Sequence, residues 1–400
     1  MVSDLLAPKK GAIARIVRIC TWVILAFAAL HLAVVFAVSP VLPEDDAFIT
    51  LRYAFNLIEG NGFVFNPGER VLGTTSPAHA LVLASVGLLI GVERLTTAVV
   101  VLNVVWILLT AIAAFMFFRG LELRSPIPEL AAAWLLLSPQ MIEMGLGGME
   151  SCFFAFAAVA AFALAVHRWW CWAAVMGALA FLVRPEGVLV LVVLSFFWWR
   201  EGRPRALAVT ALTTSLVGGW AIAGGLYFGS PVPQSVLAKV RASGGVTPGS
   251  TASRLAAEAR AWLFGGSVNP SQVAFGPLEI LVTLLTVVII VATVVAVKRD
   301  FVRQGAVLAP LWLILAAGIY AISNPFWFPW YAMMVLIPWW LSFVTGVGSF
   351  DAAVQRFQPR WSWVPASVLV IMVVTKLIGT SAAMALPNWP ATAYGVSTPY

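Results

Sequence analysis

VLPEDDAFITLRYAFNLIEGNGFVFNPGERVLGTTSP, from Val41 to Pro77, is polar and aromatic in a chain that is otherwise mostly hydrocarbon. It opens on three consecutive carboxylates, Glu44, Asp45 and Asp46. The apolar run just before it, 19–39, is longer than the roughly 7–15-residue core of a signal peptide and lacks a small-residue cleavage site, so it reads as an uncleaved first membrane helix. Everything about the fold then depends on which side of the membrane the acids emerge and how far the polar stretch extends.

The rest of the chain supports a membrane reading. Of 400 residues, 61% are hydrophobic and only 10% charged, against about 25% charged in a soluble domain. Apolar runs repeatedly approach the ~20 residues that cross a bilayer as a helix, and the period-two alternation of a membrane barrel is missing. The reading is therefore an all-α polytopic protein in the lipid bilayer. The net charge of +7 follows from lysine and arginine gathering in cytoplasmic loops, so nucleic acid is not an expected partner. Three cysteines and three histidines are scattered without metal-ligand spacing.

Basic clusters give the thread. Lys9, Lys10, Arg15 and Arg18 precede the first run, which puts the N-terminus in the cytoplasm and the acids outside. Further spans are expected at roughly 95–118, 126–144 and 149–166, two ending near 183 and 199, then 206–228, 277–297, 306–322, 328–347 and 363–384. That makes about eleven spans. The segment 78–92 has only ~15 apolar residues, too few to cross, and reads as a short helix in the outer leaflet. One transmembrane domain, 1–384, thus carries two large extracytoplasmic loops, 41–94 and 229–276, and ends in a short external tail, 385–400. Interfacial helices are expected in both loops, at 47–59 and 253–264.

The outer face gathers chemistry. In the first loop, Phe48, Leu51, Phe55 and Ile58 form an apolar stripe suited to the interface, and Gly60-Asn61-Gly62 closes the helix. If the helix begins at Asp45, then Asp45, Ile49, Arg52 and Asn56 share another face, and Asp46 points elsewhere. One Asp serves well as an N-cap; a cap does not need three acids. GGMES places Glu150 at the start of a span, as a helix-dipole partner or a site carboxylate. VRPEG places Arg184 and Glu186 between two closely spaced spans, outside. An arginine there wants an anion, either Glu186 or a phosphate. YFGSPVPQSVLAKV carries Lys239 in the second loop, and NPFWFPWY carries Trp327 and Tyr331, as interface anchors or as stacking faces for sugar rings. Carboxylates able to take a proton from an attacking hydroxyl, beside cations able to neutralise a leaving phosphate, suit transfer from a lipid-linked phosphate.

These motifs carry a resemblance. DDAFITLRYAFNLIEGNGFVFNPGERVLGTTSP resembles the first external loop of GT-C-fold membrane glycosyltransferases, in particular the branch containing the mycobacterial terminal arabinofuranosyltransferases. GGMESCFFAF, ALAFLVRPEGVL, YFGSPVPQSVLAKV and WFPWY resemble that branch in the same order, so the likeness covers nearly the whole chain. It implies a bacterial plasma-membrane enzyme with an extracytoplasmic site. The donor would be a sugar, arabinofuranose first and mannose or another hexose second, on polyprenyl phosphate, and the acceptor a cell-envelope glycan or lipid. It also implies a catalytic Asp at Asp45-Asp46, of which the face shared with Arg52 favours Asp45. Arg184 and Lys239, with Arg52, would serve the donor phosphate. Glu150, Glu186, Asn56, Trp327 and Tyr331 are the remaining substrate-contact candidates. The family often reads GYTNPLW where this chain has Gly73-Thr74-Thr75-Ser76-Pro77, so acceptor contacts are expected to differ. The carboxylates could also hold a divalent cation, Mg²⁺ or Ca²⁺. A lipid-linked sugar transporter is the rival class. It would need charged groups near the membrane midplane, where Lys376 is the main candidate.

Overall fold

A computed structural model describes residues 10–39, 43–200, 204–242, 305–323, 328–358 and 363–384; these form helices and connecting turns, with no strand among them. In chain order the helices are α1 (Lys10–Val38), α2 (Asp45–Ile58), α3 (Pro77–Ile90), α4 (Leu95–Gly120), α5 (Ile127–Leu136), α6 (Pro139–Leu146) and α7 (Ser151–Val166). They continue with α8 (Trp170–Val183), α9 (Gly187–Arg200), α10 (Pro204–Phe228), α11 (Gln234–Ala242), α12 (Leu308–Ser323), α13 (Pro329–Phe357) and α14 (Val364–Met384). Among the described residues four stretches are long and apolar enough to cross a bilayer: Val17–Val38, Val92–Gly120, Val209–Phe228 and Trp330–Phe357. Seven further apolar helices are shorter. The interfacial helix expected at 253–264 and the span at 277–297 lie outside the described residues, as does the tail 385–400.

At the centre is α7. Its sequence, SCFFAFAAVAAFALAV, is apolar on every side, and fourteen of its sixteen residues are buried, as a helix without a polar face must be. Its alanines let α4 and α8 approach closely; both pack along it, with α6, α9 and α13 around them. Aromatic stacks close the gaps. Trp106 lies flat on Phe153, with centroids 4.2 Å apart, and Trp134 lies on Trp340 at 4.0 Å.

The single span expected at 126–144 is instead two helices, α5 and α6. Pro139 cannot donate an N–H into a continuing helix, and the Ser138 hydroxyl accepts from Met141 N at 3.3 Å, capping a new start. The α6–α7 turn is then pinned to α4. Buried Asn103 donates from Nδ2 to Gly145 O at 3.1 Å and to Met149 O at 3.2 Å. The segment 78–92 is helical, as α3 (Pro77–Ile90) and a short 3-10 turn, Val92–Arg94. It packs on α2, α4 and α8.

Candidate functional site

The three acids meet three different surroundings. Glu44 donates its backbone N–H to Gly147 O at 2.8 Å and lays its side chain on the α6–α7 turn, where a Cβ on Gly147 would come within 2.9 Å of Glu44 Cγ. Burial, then the charges of Asp45 and Asp46, push its carboxyl above the usual glutamate value. Asp45 is exposed, and its Oδ1 accepts from Asp46 N at 2.8 Å, the local bond of a residue at a helix start. Asp46 faces a cavity of about 540 Å³.

Helix periodicity explains the division. Asp46, Ile49 and Thr50, at i, i+3 and i+4, line the cavity. Asp45, Phe48, Arg52 and Phe55, at i, i+3, i+7 and i+10, line a separate groove of about 440 Å³ against the start of α4. Asp45 and Arg52 do share a face, but it is the far face of α2. Neighbours on a helix diverge by about 100°, so Asp46 lines this cavity while Asp45, the aspartate preferred from the sequence, lines the groove. Arg52 lines the groove as well. Its Nε donates to Phe65 O at 3.2 Å, and its guanidinium lies 5.5 Å from the Phe55 ring centre. Asn56 fastens the first loop. It is fully buried, and Nδ2 donates to Val64 O at 2.9 Å and Phe65 O at 2.8 Å, folding the loop back onto α2.

That loop supplies another cavity wall. Tyr53 donates its hydroxyl to Val71 O at 2.5 Å and accepts from Gly73 N at 2.7 Å. The Thr74 hydroxyl pairs with that of Thr50 at 3.2 Å. Gly73, Thr74 and Thr75 thereby line the cavity opposite the α8–α9 turn. The second loop joins here, where Gln234 N donates to Leu72 O at 2.8 Å.

The α8–α9 turn carries the buried charges. Arg184 adopts an extended conformation (φ −151°, ψ 140°), as a residue before proline prefers. Gly187 is required by close approach: a Cβ there would meet the backbone of Ala180 and Phe181 at 2.3 Å. Arg184 is only 4% exposed. Its Nη1 donates to Glu150 Oε1 at 2.5 Å and its Nη2 to Glu186 Oε1 at 3.1 Å. Tyr320 of α12 donates to the same Glu186 oxygen at 3.0 Å. Burial alone would raise the Glu186 carboxyl, yet Arg184 beside it, with the hydrogen bonds from Arg184 and Tyr320, holds it below the usual carboxylate value. Burial works against the Arg184 charge, but the two glutamates more than offset it, so the guanidinium stays protonated. Glu150 stands at the N-cap of α7 without a side-chain capping bond; its carboxylate goes to Arg184. Gly148, at φ +71°, is the left-handed residue that turns α6 into α7.

Tyr331 lines the cavity beside Trp330, with the Arg184 guanidinium 6.0 Å from its ring centre. Ser235 and Val236 of α11 line it too, and Lys239 lies one turn beyond Ser235 on that helix. Trp327 falls outside the described residues. Sequence reading missed Tyr320, which sits in an apolar run with no flanking polar signal, and Thr50. Thr74 and Thr75 were legible only as a departure from a motif. Among the described residues no group of three or more His, Cys, Asp and Glu side chains is placed to hold a metal ion. Of the cavity's three acids among the described residues, Glu150 and Glu186 each bond Arg184 through Oε1.

No family model matches the chain. Over 223 residues it is 31% identical to the terminal beta-(1->2)-arabinofuranosyltransferase of Mycobacterium tuberculosis (strain ATCC 25618 / H37Rv), a match covering 49% of this chain and 34% of that protein. The match thus spans about a third of the length of this curated relative. In structure the chain is similar to the apo oligosaccharyltransferase of Archaeoglobus fulgidus, with a TM-score of 0.57 at 12% identity, over 90% of this chain and 55% of that one. It is similar as well to the archaeal oligosaccharyltransferase AglB from the same organism in complex with an inhibitory peptide and a dolichol-phosphate (TM-score 0.54, 11% identity, 90% and 54% coverage). These likenesses show the fold, a GT-C-like bundle of membrane helices.

Proposed function

We propose that this chain is a membrane glycosyltransferase that moves an arabinofuranosyl group from a polyprenyl-phosphate donor to a glycan or glycolipid acceptor on the extracytoplasmic face. The observation that carries the reading is the meeting of Asp46, the α8–α9 turn and the Trp330–Tyr331 pair around one cavity of about 540 Å³. The likeness to a named arabinofuranosyltransferase supports the choice of sugar. A neighbour in complex with a dolichol-phosphate supports a lipid-linked donor.

In this reading Asp46 takes the proton of the acceptor hydroxyl as its oxygen attacks the anomeric carbon. The bond from that carbon to the phosphate oxygen breaks, and the polyprenyl phosphate leaves with the bonding electrons. Lys239, on the helix that borders the cavity, neutralises the departing phosphate.

A transfer assay tests this. Full-length protein in lipid nanodiscs receives polyprenyl-phosphoryl arabinofuranose, or the mannosyl equivalent, with a panel of envelope glycans and lipids. Transfer of arabinose is expected, reduced about 10²–10⁴-fold by Asp46→Asn and largely kept by Asp45→Asn. Loss in Asp45→Asn alone would move the chemistry to the far face of α2. Transfer of mannose only would change the sugar.

A further inference from the structure

Resting on the donor reading above, the question is which part of the donor Arg184 meets. As a lone cation on an outer turn it suggests a phosphate ligand. Its surroundings argue otherwise. It already bonds two carboxylates, one from each terminal nitrogen. Glu150, Glu186 and Arg184 all line the cavity, and this bonded trio carries one negative charge in excess. A phosphodiester drawn to this guanidinium would sit beside two carboxylates, and like charges at that separation repel.

Donor capacity nevertheless remains. A guanidinium carries five N–H donors; one goes to each glutamate, which leaves a second N–H on each terminal nitrogen. The carboxylates beside it offer acceptors. A wall of mixed donors and acceptors with an excess of acceptors complements neutral hydroxyls, which donate and accept at once. The rings of Trp330, Tyr331 and Tyr320 add apolar faces to the same wall, suited to the C–H side of a sugar.

We infer that the Glu150–Arg184–Glu186 network binds the hydroxyls of the transferred sugar and does not bind the donor phosphate. Arg184 there acts as the clamp that orients two carboxylates.

The test compares two probes on the full chain in nanodiscs: polyprenyl-phosphoryl arabinofuranose and bare polyprenyl phosphate. Glu186→Gln keeps the shape of the side chain, and Arg184→Lys keeps the charge but not the fork. Each is expected to weaken binding of the sugar-bearing lipid about tenfold to hundredfold while leaving the bare lipid within about twofold. Thermal melting of each variant identifies folded protein, and Glu186→Gln decides the matter if Arg184→Lys fails to fold. Equal weakening of both lipids would make the network a phosphate site and overturn the proposal. No weakening of either would show that the sugar is held elsewhere and overturn it too. If the unsubstituted protein binds neither lipid, the donor reading itself fails and this subsite falls with it.

Discussion

At the residue scale, charge and burial decide what each acid does. Glu186 is partly buried against Arg184, and its carboxyl is held below the ordinary value of 4.5. A depressed carboxyl contributes stability that is fully present above about pH 4.5 and is lost as pH falls through its lowered folded value. The unsubstituted protein is therefore expected to lose thermal stability on acidification in that range, and Glu186→Gln to show a shallower slope; identical slopes would mean the pair adds nothing. Glu44 has the opposite sign. Its carboxyl lies above 4.5, so ionising it in the folded protein is unfavourable. Glu44→Gln is expected to raise the melting temperature at pH 7, with the gain vanishing below about pH 4.5. A lower melting temperature at pH 7 would show that the Glu44 charge is needed. The run of three acids was visible from the sequence as excess over a helix cap. Their separate fates were not, because a 100° rotation between neighbours matters only once the surfaces on either side of α2 are known.

At the scale of elements, short polar and glycine positions set the geometry that the apolar helices merely permit. Gly187→Ala would drive a methyl group into the backbone of Ala180 and Phe181. It is expected to destabilise the protein by at least about 1–3 kcal/mol and to reduce donor binding by displacing Arg184 and Glu186. Wild-type melting together with wild-type binding would show that the turn relaxes freely. Tyr53→Phe removes two bonds that hold 71–73 against α2, and a loss of about 1–3 kcal/mol is expected. Faster proteolysis within the first loop, measured on the folded protein, would be its local signature. Pro139 and Ser138 were readable as a stop and a cap, yet the apolar run around them was read as one span. Hydropathy registers composition and is insensitive to a two-residue break.

At the scale of the molecule, the described residues that line the cavity all come from a helix end or a connection. These are the start of α2, the start of α7, the α8–α9 turn, the end of α12, the start of α13, the start of α11 and the arm 73–75. The expected sidedness can be tested with a cysteine at Asn61 and another at Arg200, after replacing the exposed Cys20 and Cys171. A membrane-impermeant maleimide should label the first in intact cells and the second only after permeabilisation. The reverse pattern would place the cavity in the cytoplasm and remove the extracytoplasmic donor. By itself the sequence determined the helical membrane class, the order of the motifs and most of the charged residues that meet at the cavity. Those follow from local composition: apolar runs must become helices in lipid, and charges persist among them only where a partner or water waits. Tertiary structure alone decided that Asp46 rather than Asp45 faces the cavity, that Asn56 fastens a loop, and that Arg184 is already held by two carboxylates and a tyrosine-bonded turn. Each depends on what packs across from a residue, and residues as far apart as Glu150, Arg184 and Tyr320 become neighbours only when α7, α8 and α12 end at the same place.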